Sequence, residues 1–282
     1  MGTVHGVAAP PVLCYHRIAG PPELGVTRIG RSVFARQMRT LAEGGWCTLT
    51  LAEFADTLLG PRTTHHAPRT FLLTFDDGYA SLADHAYPLL AELGFTATTF
   101  LITDHIGRTN TWDVRYTWRR LAHLDWPAIE AWRARGFDFA SHGASHVRLT
   151  WLADAPAAEE LARSRETLCA RLGEAAGRAV AYPFGASDAR IERLAAAAGY
   201  ELGFGGVRGG REANGSTLNV ARVPVYVWDL GSRPLGLRDD ALGAAGRFVA
   251  HVANRCAVGT SWMLTLRRQT SDVRDQELTS DV

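Results

Sequence analysis

Five residues whose side chains could do chemistry lie at or just after the ends of short apolar runs. They are His16, Asp76, Asp77, His142 and His146. Apolar runs of this length are typical of buried strands. The carboxyl ends of parallel strands meet on one face of an α/β barrel, where active sites lie. We therefore expect one face to collect three imidazoles and two carboxylates.

The spacing of His142 and His146 is that of paired zinc ligands, because three intervening residues bring both rings to one side of a turn or helix. Each motif also has an ordinary alternative, since such histidines are often incidental and Asp-Asp-Gly is a common turn. An aspartate on a neighbouring strand end favours the ligand interpretation, because one Asp and two His leave metal positions open for water and substrate. A glycosidase pair is disfavoured, since its carboxyl groups lie roughly 5 to 9.5 Å apart and these aspartates are adjacent.

Strand-like runs alternate with helix-like stretches through most of the chain. Strands are predicted over 12–15, 71–75, 95–102, 137–141 and 180–182. Helices are predicted from Ser32 to Gly44, from Thr50 to Gly60, in part over 82–93, from Asp125 to Gly136, over 154–172 and from Ser187 to Ala198. Ser32 and Ser187 are the predicted N-caps of their helices, and Thr50 and Glu53 have the spacing of a capping box. This alternation indicates a parallel sheet with helices outside. The length favours one α/β barrel domain over residues 1–266, followed by a polar, disordered tail at 267–282.

The composition excludes several classes of protein. All 30 basic residues are arginine, so the chain lacks the lysine that P-loop NTPases, protein kinases and Schiff-base enzymes require. The net charge of +1 gives no electrostatic case for a nucleic-acid partner. The four cysteines form no C-x-x-C pair, which disfavours a zinc knuckle or a thioredoxin-type motif.

Targeting signals are the last sequence feature that bears on location. No apolar run approaches the ~18 residues of a membrane span. The start of the chain lacks the basic and apolar regions of a signal peptide. We therefore expect a cytoplasmic protein, or a secreted one if a leader has been removed.

Three segments in this order resemble the polysaccharide deacetylase family, the carbohydrate esterases of family 4 that share the NodB homology domain. They are Thr74-Phe75-Asp76-Asp77-Gly78-Tyr79, Ser141-His142-Gly143-Ala144-Ser145-His146 and Ala181-Tyr182-Pro183-Phe184-Gly185. Two further segments are similar to a branch with permuted motif order that includes poly-N-acetylglucosamine deacetylases: Tyr15-His16-Arg17 and Arg222-Val223-Pro224-Val225. The fold expected is a single distorted (β/α) barrel of about seven parallel strands.

The resemblance implies a role for each matched residue. A divalent metal, with zinc first and cobalt or nickel as alternatives, would be bound by Asp77, His142 and His146. Asp76 would be the general base that takes a proton from water, and His16 the general acid that protonates the leaving amine. The backbone N–H near Phe184 would stabilise the tetrahedral oxyanion.

Four further residues are candidates for contact with a sugar substrate: Tyr182, Trp112, Asp113 and Arg222. Trp112 and Asp113 lie in a polar, aromatic loop on the expected active-site face, although Trp112 could equally pack under that loop. Two positions depart from the family pattern. Gly143 replaces a Ser or Thr, which would remove a ligand-orienting hydrogen bond. Ala181 replaces the Arg that orients the catalytic aspartate, and Arg222 is the candidate substitute.

The predicted function is metal-dependent removal of the N-acetyl group from an amino sugar of the N-acetylglucosamine type. The substrate would be a glycan, an oligosaccharide or a glycoconjugate precursor. A non-catalytic glycan-binding protein on the same barrel is one alternative, and Gly143 and Ala181 favour it. A deacylase of a non-sugar amide or ester is another, because the same attack by water serves any accessible acyl group.

Overall fold

The computed structural model describes residues 9–20, 26–60, 69–111, 120–205, 216–234 and Leu237. The strands of these residues, in chain order, are β1 (Val12–Tyr15), β2 (Arg17–Ile18), β3 (Arg28–Ile29), β4 (Cys47–Thr48), β5 (Thr70–Phe75), β6 (Thr98–Leu101), β7 (Asp138–Ser141), β8 (Ala179–Ala181), β9 (Leu202–Phe204) and β10 (Val223–Pro224). The helices are α1 (Arg31–Glu43), α2 (Leu51–Leu59), α3 (Ser81–His85), α4 (Tyr87–Glu92), α5 (Trp126–Arg133), α6 (Asp154–Leu172) and α7 (Ala189–Ala197). The predicted tail at 267–282 lies outside the described residues.

The strands of the main sheet are parallel. From one edge to the other they follow their order in the chain, except for β10, which lies beside β1. The strand order is β10-β1-β5-β6-β7-β8-β9, with β4 beside β5 and the short pair β2-β3 separate. Helices follow most of the strands, as right-handed crossovers between parallel strands require. The sheet curls into a half-barrel, so the predicted distorted (β/α) barrel is confirmed.

Residues 216–225 link the two edges of this sheet. Beside β9, the Val220 N–H donates to the Gly203 carbonyl oxygen at 2.7 Å. Beside β1, Val223 pairs in register with Leu13. One short segment therefore spans the gap between the first and last strands, and it carries Arg222 into the interior of the barrel.

The two faces of the strands build separate cores, as expected for a sheet that is covered on both sides. The outward side chains pack against α1, α4 and α5, and include Leu13, Tyr15, Leu73, Phe75 and Phe139. The inward side chains pack against α2, and include Val12, Leu72, Phe100, Ala181 and Phe204. The backbone N–H of Leu51, at the start of α2, donates to the Asp138 carboxylate at 2.7 Å. Because Asp138 begins β7, α2 closes the amino end of the barrel and leaves the carboxyl end for a site.

The N-terminal caps of three helices can be compared with the caps that the sequence predicts. Helix α2 begins as predicted, with the capping box formed by Thr50 and Glu53. Helix α1 begins at Arg31 with Gly30 at the N-cap, so the prediction that Ser32 caps this helix is wrong. The cap of α7 is Asp188 and not Ser187, because the Asp188 carboxylate accepts from the Ile191 N–H at 2.8 Å.

Residues 82–93 form two short helices, α3 and α4, in agreement with a partly helical stretch. Pro88 lies in the first turn of α4, where its missing N–H costs no helical hydrogen bond. The longest helix, α6, has the predicted bounds. Within the described ranges, no helix has both the length and the apolar character needed to cross a membrane.

Residues 216–225, which we call the closing segment, pack so tightly against β9 that a side chain at Gly203 should destabilise the fold. A side chain at Gly203 would collide with the Leu218 carbonyl oxygen and the Tyr182 hydroxyl group. We expect Gly203→Ser to lower the free energy of unfolding by about 1–3 kcal/mol, the usual cost of overpacking, as measured by urea denaturation. Gly30→Ser is the matched control, because a Cβ there meets no atom within 4 Å and serine is a favoured N-cap. Equal stability of the two variants would contradict close contact at β9.

Candidate active site

Asp76 and Asp77 face the same site because the backbone turns sharply between them. Asp76 still pairs as a strand residue, since its N–H donates to the Tyr15 carbonyl oxygen at 2.9 Å. Asp77 has φ +69° and Gly78 has φ +68°. This left-handed conformation costs a non-glycine residue about 1–3 kcal/mol. It brings the second carboxylate to the same face as the first, where a regular strand would place it on the opposite face.

Asp77, His142 and His146 form a group with the dimensions of a metal site. The Asp77 Oδ1 atom lies 3.5 Å from His142 Nε2 and 3.5 Å from His146 Nε2. All three side chains are buried. Ligand atoms on one tetrahedral zinc ion, at bonds of about 2.0–2.2 Å, lie about 3.4 Å apart. The donor set and its spacing therefore fit a divalent metal such as zinc.

His142 is oriented by the strand beside it. Its Nδ1 atom lies 2.7 Å from the Ala181 carbonyl oxygen. Because a carbonyl oxygen can only accept, Nδ1 carries the proton and Nε2 presents a lone pair to the site. The orientation that we expected to be lost at Gly143 is thus provided by the backbone of β8.

His146 lies in a strained turn that other residues brace. It has φ +62°, and its ring centroid is 4.7 Å from that of Phe184. The preceding residue, Ser145, donates from its N–H and its hydroxyl group to the Glu160 carboxylate at 2.9 and 2.8 Å. Burial lowers the pKa of His146 to about 3, so its imidazole is neutral, as a metal ligand must be.

Backbone strain is concentrated at this site. Four non-glycine residues in the described chain have a positive φ, and three of them are Asp77, His146 and Phe184. The fourth is Ala19. Such conformations persist only where the surrounding structure enforces them, and they cluster at functional sites.

Arg222 compensates the buried charge of Asp76. Its Nη1 and Nη2 atoms donate to the two carboxylate oxygens at 2.6 and 2.8 Å, and both side chains are 4% exposed. Burial raises the pKa of Asp76, but the Arg222 guanidinium and His142 outweigh it and hold that pKa well below its usual range. Asp76 is therefore a charged, oriented carboxylate beside the metal group. Arg222 takes the place of the arginine that is absent at Ala181, and it contacts Asp76 rather than the site opening.

The charges around His142 also favour a cation. Burial lowers the pKa of His142, but the carboxylates of Asp76 and Asp77 raise it more, so the net shift is upward. The same negative field that favours a proton here favours a metal ion. Burial raises the pKa of Asp77, yet its contacts with His142 and His146 lower it overall, and the carboxylate is ionised.

The remaining predicted site residues differ in whether they contact the group of Asp76, Asp77, His142 and His146. His16 is half-buried, and its ring lies beside Asp76 and Cys14. Phe184 has φ +60° and packs its ring on His146. The Tyr182 side chain is fully buried, and its hydroxyl group donates to the Leu218 carbonyl oxygen at 2.9 Å, so it does not face the site. Trp112 and Asp113 lie outside the described residues.

Three residues that contact the site were not predicted from the sequence. The Cys14 thiol donates to Asp76 Oδ2 at 3.4 Å. His123 Nδ1 lies 2.8 Å from the Asp77 carbonyl oxygen and supports the strained turn. Glu160 braces Ser145 from the middle of α6. None of the three belongs to a recognisable motif. Cys14 alone had a sequence signal, because it lies in the apolar run that precedes His16.

Comparison with known proteins agrees with this geometry. Residues 64–203 match the family model described as polysaccharide deacetylase. Over residues 64–203, the chain thus carries a polysaccharide deacetylase domain. The Bacillus subtilis (strain 168) protein YxkH, named for the same family, is 28% identical over 193 residues, which are 68% of this chain and 63% of YxkH. The chain thus spans less than two thirds of that relative.

Solved structures show the same fold. IcaB from Ammonifex degensii is 25% identical with a TM-score of 0.66, over 85% of this chain and 97% of IcaB. The Streptococcus pyogenes deacetylase PplD in complex with acetate is 22% identical with a TM-score of 0.66, over 78% of this chain and 93% of PplD. His16 and Arg222 lie outside the range that the polysaccharide deacetylase model matches, so the segments next to β1 and β10 add two residues to the site.

The pair of Asp76 and Arg222 predicts a large stability effect. We expect Arg222→Met to lower the free energy of unfolding by about 3–5 kcal/mol, because it leaves a buried carboxylate uncompensated. Arg190→Met is the control, since Arg190 pairs with a largely exposed Asp154 carboxylate and such pairs contribute about 0–1 kcal/mol. Chemical denaturation of both variants measures the difference. Similar losses in the two variants would contradict the importance of the buried pair.

Proposed function

We propose that the protein is a divalent-metal-dependent hydrolase that removes the N-acetyl group from an N-acetylated amino sugar. One observation carries this proposal: a metal-type group of one Asp and two His lies directly beside a second, charged carboxylate. His142 Nε2, which faces Asp77, is 3.9 Å from Asp76 Oδ2. The polysaccharide deacetylase domain supports a sugar as the substrate.

Asp77, His142 and His146 would hold the metal, with zinc preferred and cobalt or nickel able to use the same nitrogen and oxygen ligands. When bound, the metal would supply Lewis-acid chemistry that lowers the pKa of its water ligand to about 7 and polarises an acyl oxygen. Three protein ligands leave a coordination position free, as a catalytic site needs.

The other residues of the site supply the proton transfers. Asp76, kept ionised by Arg222, accepts a proton from the attacking water. His16, whose ring lies beside Asp76, donates a proton to the leaving nitrogen. General acid–base steps of this kind contribute about 10²–10⁴-fold each. The Phe184 N–H donates to the developing oxyanion, an interaction worth on the order of 3 kcal/mol.

The two alternatives have different support. A non-catalytic glycan-binding protein was favoured by Gly143 and Ala181, but the Ala181 carbonyl oxygen orients His142 and Arg222 orients Asp76. These contacts remove the reason to expect an inactive site. Hydrolysis of a non-sugar amide or ester uses the same residues, so the substrate panel must include such compounds.

Acetate release tests the proposed function. The panel contains polymeric, oligomeric and monomeric N-acetylglucosamine compounds, a non-sugar N-acetyl amine and an aryl acetate. Each is assayed after chelation and after repletion with zinc or cobalt. We expect release from the sugar compounds that chelation abolishes and metal restores. No release from any sugar by the metal-loaded protein would overturn the proposal, and release from the other compounds alone would favour the non-sugar deacylase.

Substitution of Asp76 and of Asp77 should affect metal binding and acetate release differently. We expect Asp77→Asn to lose the tightly bound metal ion and, with it, acetate release. Asp76→Asn should retain one metal ion per chain but lose about 10²–10⁴-fold in kcat, because only the proton acceptor is removed. Asp84→Asn, on the exposed side of α3, is the control and should behave as the native protein. Metal content by elemental analysis and initial rates distinguish the variants, and equal metal loss in the first two would contradict the separate roles.

The role of His16 depends on the leaving group. An amine must be protonated as it leaves, whereas an aryl oxide leaves unaided, so only the amide needs a general acid. We expect His16→Gln to lower kcat/KM about 10²-fold or more on an N-acetyl sugar and less than about threefold on an aryl acetate. Equal losses on the two substrates would contradict a general-acid role.

A further inference from the structure

A second group of metal-ligating side chains includes Asp76 itself. Cys14, His16 and Asp76 each offer one ligand atom, and these atoms all lie within 4.8 Å of one another. Cys14 and Asp76 are buried and His16 is half-buried. This group differs chemically from Asp77, His142 and His146, because it includes a sulfur donor, which attracts soft and borderline cations.

The spacing of Cys14 and Asp76 matches that of two ligands on one tetrahedral ion. Cys14 Sγ lies 3.4 Å from Asp76 Oδ2, where the thiol now donates a hydrogen bond. A sulfur at about 2.3 Å and an oxygen at about 2.0 Å from one tetrahedral zinc ion lie about 3.5 Å apart. A cation could therefore replace the thiol proton with little movement of either residue.

The histidine of this group provides a second, independent observation. The Nδ1 atom of His16 is buried and has no hydrogen-bond partner among the residues that the structure describes. The large majority of buried side-chain polar atoms are satisfied, so this atom is open to a partner that the described protein groups do not supply. A cation held by the neighbouring thiolate and carboxylate would supply one.

We propose that Cys14, His16 and Asp76 form a second divalent-cation site, selective for zinc-like ions, that binds its cation more weakly than the first site and therefore fills after it. Binding releases the Cys14 proton to solvent, so a thiolate, a carboxylate and a neutral imidazole face the cation. Two negative ligands balance its double charge. Arg222 remains paired with Asp76, and its positive charge opposes the cation. The second site is therefore weaker than the first.

Occupation of this second site has a consequence that rests on the proposed function. A cation on Asp76 takes the lone pair that would accept a proton from water, and it also engages His16. The general base and the general acid would be blocked together. Excess zinc should then inhibit the hydrolase, whereas one equivalent activates it.

Cobalt titration of a single-thiol protein tests the site without reference to activity. Cys47, Cys169 and Cys256 are replaced by serine, which leaves Cys14 as the only thiol. The chelated protein is then titrated with Co²⁺ under reducing conditions. A near-ultraviolet thiolate-to-cobalt charge-transfer band reports only the second site, because the first has no sulfur ligand. We expect two equivalents of bound Co²⁺, with the band appearing on the second.

Two variants in the single-thiol background separate the sites. Asp77→Asn should lose one equivalent of Co²⁺ and keep the band. Cys14→Ser should lose the band and the other equivalent. Saturation of the single-thiol protein at one equivalent without a band would overturn the proposal, even if Cys14→Ser failed to fold.

Inhibition is measured separately, with each protein normalised to its own rate at one equivalent of zinc. We expect excess zinc to lower the rate at least tenfold in the native protein and less than twofold in Cys14→Ser. A cobalt–thiolate band without inhibition would support the site and overturn its effect on the base. Absence of deacetylation at every zinc concentration would overturn the proposed function and leave the cobalt result standing.

Discussion

A buried carboxylate must be compensated, and the architecture of this barrel follows from that requirement. Asp76 is buried inside the barrel, where an isolated charge would be neutralised by a shift in its pKa. Arg222 prevents this with two hydrogen bonds. It can do so only because β10 pairs with β1 and brings residue 222 across the open side of the barrel. The closing segment is therefore an electrostatic element of the site as well as a packing element.

Strained turns at three strand ends complete the site. Asp77, His146 and Phe184 all adopt positive φ values, which regular strands and helices do not offer. Each turn is held by a neighbour: the Asp77 carbonyl oxygen by His123, Ser145 by Glu160, and the turn at Phe184 by its ring contact with His146. The cost of these conformations is met by a rigid scaffold in which both faces of the sheet are packed. A preorganised ligand geometry is the result.

Asp76 belongs to the second ligand group and lies beside the first, and the proposed second site would connect activation with inhibition for that reason. The first group offers one carboxylate and two imidazoles, and the second offers a thiol, an imidazole and the Asp76 carboxylate. Both groups arise from the same rule, since residues at the carboxyl ends of neighbouring parallel strands converge. A barrel that collects ligands on one face brings together more of them than one metal requires.

The sequence by itself determined the class of fold, the described helices to within a few residues, the strands β1, β5, β6, β7 and β8, and the identity of the converging residues. Hydrophobic period and strand-end position are local signals, so they can be read from the sequence. It also placed Asp76, Asp77, His142 and His146 on one face. The tertiary structure alone decided which partners these residues have. That Arg222 pairs with Asp76, that the Ala181 carbonyl oxygen orients His142 and that Tyr182 turns into the core depend on contacts between segments distant in the chain. Such contacts leave no periodic trace in sequence, and the positive φ at Asp77 is set by the same long-range packing.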